Sequence, residues 1–259
     1  MQESISREHP DLPSQGKVLV KVGTSSITDN DGLDLRVLSN LADNIAWLWD
    51  QGNKFVIITS GARVLGEMSG IKDSRTAAGV GQPMLMEAYR KAFDTYGIQI
   101  EQLLLESTHF DRGVMGLLNR NKVKNIIHAI STAWSEGVIP VVNENDPVAT
   151  ERTTLGDNDK LARRISRAMD VDITIFLSTV DSRNGRGGAG SKAIEIRRIL
   201  RAGGSVMLVD GKRQDVVKKV LEGDVIGIRN AQELIELQRN RNGIRNRIRN
   251  ALSNRTWQN

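Results

Sequence analysis

Lys17-Val18-Leu19-Val20-Lys21-Val22-Gly23-Thr24-Ser25 is a short run of β-branched and aliphatic residues that stops at a glycine and two hydroxyl residues. Such a run reads as a buried strand entering a tight turn. Outward from it the same unit recurs. Apolar runs at residues 55–59, 98–105, 138–142, 173–177 and 205–209 predict further strands. Between them, residues 35–49 place Leu38, Leu41, Ile45 and Leu48 at helical spacing, and residues 75–93 and 119–134 also predict helices. Strands alternating with helices, and apolar almost throughout, predict an α/β fold: a three-layer αβα sandwich around a mainly parallel open sheet.

The chain has 259 residues, enough for a sizeable core, and no cysteine. Disulfide frameworks, thiolate metal sites and cysteine nucleophiles are therefore excluded. Three histidines leave little for a histidine-rich metal centre. No apolar run approaches the roughly 20 residues of a membrane helix, and residues 1–16 lack the hydrophobic stretch of a signal peptide, so the expected location is cytoplasmic. The net charge of +5 is concentrated in residues 231–259, which hold six arginines and two glutamates. The organisation expected is an N-terminal extension (1–16), one domain (17–230) and a basic helical tail (231–259), with Ile244, Ile248 and Leu252 on one stripe and Arg241, Arg245 and Arg249 on another. A charge run of this kind is more often a solvated face than a nucleic-acid site.

In an open parallel sheet, ligands bind beyond the carboxyl ends of the strands. Gly23-Thr24-Ser25 and Ser60-Gly61-Ala62 stand at two such ends, where glycine turns and helix starts can offer backbone N–H groups to an anion. Lys21 lies near the end of an apolar strand, where a charge is costly unless it enters a polar cleft. Lys192 closes the glycine-rich run Gly185-Arg186-Gly187-Gly188-Ala189-Gly190-Ser191. Two lysines and flexible glycine backbone suit phosphoryl transfer, which needs charge stabilisation and alignment more than covalent chemistry. The P-loop signature is absent. Gly185, Gly187 and Gly190 also match G-x-G-x-x-G, but residues 178–184 separate them from the preceding strand, against a dinucleotide fold. Asn143-Glu144-Asn145-Asp146 and Gly156-Asp157-Asn158-Asp159 offer donors and acceptors together, as a zwitterion requires, although Asp146 and Asp159 also suit helix caps. His109 and His128 fall in helical segments, and no nucleophile–base pair is evident.

Val20 to Ser25, Ile58-Thr59-Ser60-Gly61-Ala62, Val80-Gly81-Gln82, Pro140 to Asp146 and Gly156 to Asp159 together resemble, in order and spacing, the glutamate 5-kinase group of the amino acid kinase family. The resemblance implies transfer of the ATP γ-phosphoryl group to the side-chain carboxylate of L-glutamate, with Mg2+, in the first step toward proline. It implies that Lys21, Asp159 and Lys192 are catalytic, and that Ser60, Gly61, Ala62, Asp146 and Asn158 hold the amino acid. Lys21, Gly23, Thr24, Ser178, Thr179, Gly187, Gly188, Ser191 and Lys192 would line the nucleotide, with no metal held by protein ligands alone. The expected partners are L-glutamate, proline as a feedback inhibitor and further copies of the chain, without membrane or nucleic acid. The chain departs from the family pattern where Thr179 replaces an acid and residues 181–187 replace a longer nucleotide-binding segment. Two alternatives accompany those departures: a non-catalytic binding descendant, or a kinase for a different small acidic substrate.

Overall fold

The computed structural model describes residues 15–110, 118–148, 158–179 and 189–224. Six strands, β1 (Lys17–Val22), β2 (Lys54–Ile58), β3 (Gln99–Leu105), β4 (Val138–Glu144), β5 (Ile173–Ser178) and β6 (Ser205–Asp210), form one sheet. Their order is β3-β4-β2-β1-β5-β6, and every pair is parallel. The opening stretch of the sequence is thus the inner strand β1, between β2 and β5. Side chains alternate across each strand, so Val18, Val20 and Val22 enter one core with Phe55, Ile57, Ile139 and Ile175. Leu19 enters the other with Val56, Ile58, Val142 and Phe176. Lys21 shares the pleat of Leu19 and faces the second layer of helices.

The first helical layer is built from α2 (Leu35–Asp50), α4 (Ser74–Asp94) and α8 (Val216–Leu221), the second from α5 (Leu118–Ser135), α6 (Asn158–Met169) and α7 (Ala189–Arg201). Two short helices, α1 (Thr24–Ile27) and α3 (Ala62–Met68), follow the first two strands. Helix starts follow the sequence: the Asp34 carboxylate accepts from the amides of Arg36 and Val37, and that of Asp73 from Thr76. The second core is tied to the sheet by the Trp134 indole, which donates to the Phe55 carbonyl at 2.7 Å.

Parallel strands give the sheet two unlike rims. At the amino rim, the Gly16 amide donates to Asn53 Oδ1 at 2.9 Å and the Lys17 amide to Asp172 Oδ2 at 2.7 Å. The amides of Lys54 and Asp172 donate in turn to the carbonyls of Gly16 and Lys17. At the carboxyl rim the polar residues singled out in the sequence converge. Residues 231–259 lie outside the described residues, as do 1–14, so the expected tail and extension receive no structural account.

Candidate active site

Asn158 and Asp159, the first two residues of α6, stand at the junction of two groups of side chains. Asp159 is 4% exposed and pairs with Lys21 Nζ at 2.8 Å and with Lys192 Nζ at 3.9 Å. These three residues come from β1, α6 and α7, at the end of the innermost strands. Burial works to raise the Asp159 pKa, yet the charges of Lys21 and Lys192 and the Lys21 hydrogen bond together hold it below the ordinary carboxylate value. Burial first, and the Lys21 charge second, pull Lys192 from 10.5 down to about 8 against the attraction of Asp159. Two ammonium groups sharing one carboxylate carry a surplus positive charge in a desolvated place. A polyphosphate would balance it.

Asn158 faces the other group. Its Nδ2 donates to Ser60 Oγ at 3.1 Å and to Asn143 Oδ1 at 3.0 Å. Ser60 precedes Gly61, whose φ of 109° is left-handed and easily reached only without a Cβ; Gly61 caps α3, and Ala62 begins it. The turn is supported from beneath by Tyr89, whose buried hydroxyl donates to Thr59 Oγ1 at 3.0 Å. Asp146, 9% exposed, opens a 3-10 turn just past β4. The serine hydroxyl, held in place by the asparagine amide, and the aspartate carboxylate together can take a small molecule bearing both ammonium and carboxylate.

The phosphate side differs from expectation in one respect. The Gly23 amide donates to the Leu177 carbonyl at 3.1 Å, because pairing of β1 with β5 continues one residue past the strand. Gly23 therefore offers no free N–H to an anion. It offers space instead: a Cβ there would lie 3.1 Å from the Leu177 oxygen and 3.9 Å from Lys21 Nζ. The first amides of α1, at Thr24 and Ser25, have no intrahelical acceptor. Ser178 ends β5 and accepts from the Gly211 amide, and the Thr179 hydroxyl donates to Ser25 Oγ at 2.8 Å, closing the base of this side. Gly187 and Gly188 lie outside the described residues, and Ser191 is placed on α7 by its backbone alone. His109 lies away from the site, its Nδ1 accepting the Glu106 amide at 3.1 Å.

Among the described residues no group of three or more histidines, aspartates or glutamates could hold a metal ion. The surplus charge of the lysine pair fits a nucleotide. Mg2+, which prefers phosphate oxygens and water with few carboxylates, fits as an ion carried in on those phosphates.

A family model described as the amino acid kinase family matches residues 16–187. The chain belongs to the amino acid kinase family. Membership agrees with the parallel sheet flanked by helices. The glutamate 5-kinase of Thermotoga maritima is 40% identical over 173 residues, covering 64% of this chain and 47% of that protein. That of Alkaliphilus metalliredigens is 27% identical over 250 residues, covering 80% and 92%, and that of Teredinibacter turnerae is 31% identical, covering 82% and 66%. This family member thus spans about half of the Thermotoga protein and about two thirds of the Teredinibacter protein. Solved structures of isopentenyl phosphate kinase share its fold, with a TM-score of 0.59 at 15% identity over 82% of this chain and 98% of that one, and 0.56 at 14% over 79% and 95% for the T. acidophilum protein.

Asn143 and Gln82 join the group of side chains around Asn158; the sequence reading placed Asn143 in a donor–acceptor cluster and gave Gln82 no role of its own. Asn143 Nδ2 donates to Gln82 Oε1 at 2.7 Å. Both residues stood in the motifs quoted from the sequence, which was the available signal.

Proposed function

We propose that the chain transfers the γ-phosphoryl group of ATP to the side-chain carboxylate of L-glutamate. One observation carries this reading: the dipeptide Asn158-Asp159 joins the polar group at Ser60 to the Lys21–Lys192 charge centre, so acceptor and phosphate would meet at one helix start. Asp146 would take the ammonium group, and the Ser60 hydroxyl, oriented by Asn158, together with the Gly61-Ala62 backbone would take the carboxylate end. A carboxylate oxygen forms the new bond to the γ-phosphorus as the bridging bond to the β-phosphate breaks, giving a glutamyl phosphate and ADP. The attacking carboxylate is already ionised at neutral pH, so no general base is required. Lys21 and Lys192 hold the phosphate oxygens and offset the charge that moves onto the leaving group, while Asp159 fixes both ammonium groups in place. Mg2+ supplies further charge neutralisation when bound with the nucleotide.

Identity with glutamate 5-kinases along most of the chain supports glutamate as the acceptor and ATP as the donor. A single kinase domain over 17–230, self-association, feedback by proline and a cytoplasmic setting belong to the same proposal. ADP release with glutamate, aspartate, acetylglutamate or no acceptor tests it. Glutamate alone should stimulate release; equal rates in all four mixtures would refute the assignment. The Thr179–Ser25 hydrogen bond favours one second reading, a nucleotide side altered enough that the chain binds its ligands without turnover. Glutamate binding by calorimetry with no ADP formed from any nucleotide and Mg2+ would establish it.

A further inference from the structure

The Val80-Gly81-Gln82 stretch of α4 is assigned nothing in the reaction above, yet it touches both sides of the acceptor site. Gly81 packs on the turn that carries Ser60, and a Cβ there would overlap the Ala62 carbonyl. Gly79, two residues earlier, faces Pro147 beside Asp146. Gln82 is 7% exposed, and its position among the amides of Asn143 and Asn158 is set by a single backbone donor. The Glu144 amide donates to Asn143 Oδ1 at 2.9 Å and to Asn158 Oδ1 at 3.2 Å. Both side chains must therefore direct Nδ2 elsewhere. Asn158 Nδ2 gives to Asn143 Oδ1 and Ser60 Oγ, and Asn143 Nδ2 gives to Gln82 Oε1. Gln82 has no freedom left to exchange its oxygen and nitrogen.

The result is a buried Gln82 Nε2 with no acceptor among the described residues. An unpaired buried amide donor is costly, and native structures retain one where something else completes it. An oxygen of an incoming ligand would complete it. At the far end of the same chain of bonds, Ser60 Oγ has accepted from Asn158 and still has its own hydrogen to give.

We propose that Gln82 is an acceptor-binding residue, its Nε2 donating to the α-carboxylate of the amino acid while its Oε1 locks the Asn143–Asn158–Ser60 chain. The α-carboxylate is chosen over the reacting one by position: Gln82 stands two hydrogen bonds beyond Asn158, away from Asp159 and the lysines. The assignment rests on the reading of this site as one for an acidic amino acid. It makes Gln82 a determinant of acceptor affinity, not of the chemical step.

The test is calorimetric binding of L-glutamate to the full chain, wild type against Gln82→Met and Gln82→Glu. Gln82→Met removes both amide functions at similar length, and Gln82→Glu keeps an acceptor for Asn143 but loses the donor. Both variants should bind glutamate at least about tenfold more weakly, the loss expected of a hydrogen bond to a charged group. Nucleotide affinity, read by the same calorimetry, should fall far less than glutamate affinity. Unchanged affinity in folded Gln82→Met overturns the proposal, and so does wild-type affinity in Gln82→Glu, which would reduce Gln82 to a support for Asn143. Should Gln82→Met fail to fold, the ¹⁵N carboxamide signals of wild type, assigned by the pair missing from Gln82→Glu, decide instead. A downfield proton shift on adding glutamate supports the contact, and an unmoved pair overturns it. Failure of wild type itself to bind glutamate would overturn the acceptor reading of the site, a result distinct from a variant that binds as well as wild type.

Discussion

Replacing Lys192 by methionine should make the protein more stable and less active at once. The Lys192 side chain is buried, and its ammonium is the more distant of the two that share Asp159, at 3.9 Å against 2.8 Å for Lys21. Burial and the Lys21 charge lower its pKa from 10.5 to about 8. That difference corresponds to about 3 kcal/mol by which the ligand-free fold disfavours the ammonium form. Below pH 8 the group is protonated in folded and unfolded chains alike, and the whole cost is present. Between about 8 and 10.5 the unfolded chain binds the additional proton, so the cost fades and wild-type stability rises with pH. Methionine keeps the length of the stem and removes the charge. The attraction of Asp159 is already counted in that difference, so about 3 kcal/mol is the upper limit of the gain for Lys192→Met at pH 7. Urea unfolding of both proteins at pH 7 and pH 9.5 measures this, and the gap should narrow at the higher pH. Glutamate-dependent ADP formation should fall by about 10²–10³, as when one charge-stabilising donor is removed from a transition state. A variant less stable than wild type at pH 7, or a gap indifferent to pH, would refute the reasoning.

Asp159→Asn should do the opposite, leaving Lys21 and Lys192 buried without an anion and costing about 3–5 kcal/mol in urea unfolding at neutral pH. Because the folded-state pKa of Asp159 is depressed, its contribution is complete above the unfolded value near 3.8, and the gap to the variant should close as pH falls below it. Gly81→Ala forces a methyl group onto the Ala62 carbonyl and should cost about 1–3 kcal/mol; glutamate affinity should drop while nucleotide affinity holds, both read by calorimetry. Tyr89→Phe removes the buried hydrogen bond to Thr59 beneath the Ser60 turn and should lower stability by about 1 kcal/mol, measured by thermal or urea unfolding.

The inner strands β4, β2, β1 and β5 were legible as apolar runs because strands buried on both faces leave little room for polar residues, whereas the edge strand β3 carries Gln99, Glu101 and Gln102 and buries only Leu105. The sequence reading ended the fourth strand at Val142, where hydrophobicity ends, whereas β4 continues through Asn143 and Glu144 opposite Leu104 and Leu105 of β3. Hydrogen bonding to a neighbouring strand does not depend on the side chain being apolar, so periodicity underestimates a strand that ends in a polar site. Lys21 was suspicious as a charge on a buried strand, but its partner Asp159 is 138 positions away and could be assigned only through family resemblance. Gln82 was less visible still. A glutamine in the middle of a helix ordinarily faces solvent, and only tertiary packing, with Gly81 against α3 and Asn143 alongside, reveals it as buried. Conversely, Gly23 looked like an amide donor for phosphate until strand pairing was seen to use its N–H.

The two rims of the sheet also divide the molecule for an engineer. At the amino rim, backbone amides of Gly16, Lys17, Lys54 and Asp172 are matched to nearby acceptors. At the carboxyl rim, Lys192 and Gln82 are held in states that are unfavourable until a ligand arrives. Stabilising changes confined to the amino rim and the outer helix faces should therefore leave recognition alone. Selection for thermal resistance without ligand would instead erode the carboxyl rim first, since the easiest stabilising changes there remove the groups that bind. A library screened for heat tolerance should include the acceptor and nucleotide throughout, so that their binding free energy counts in favour of those groups.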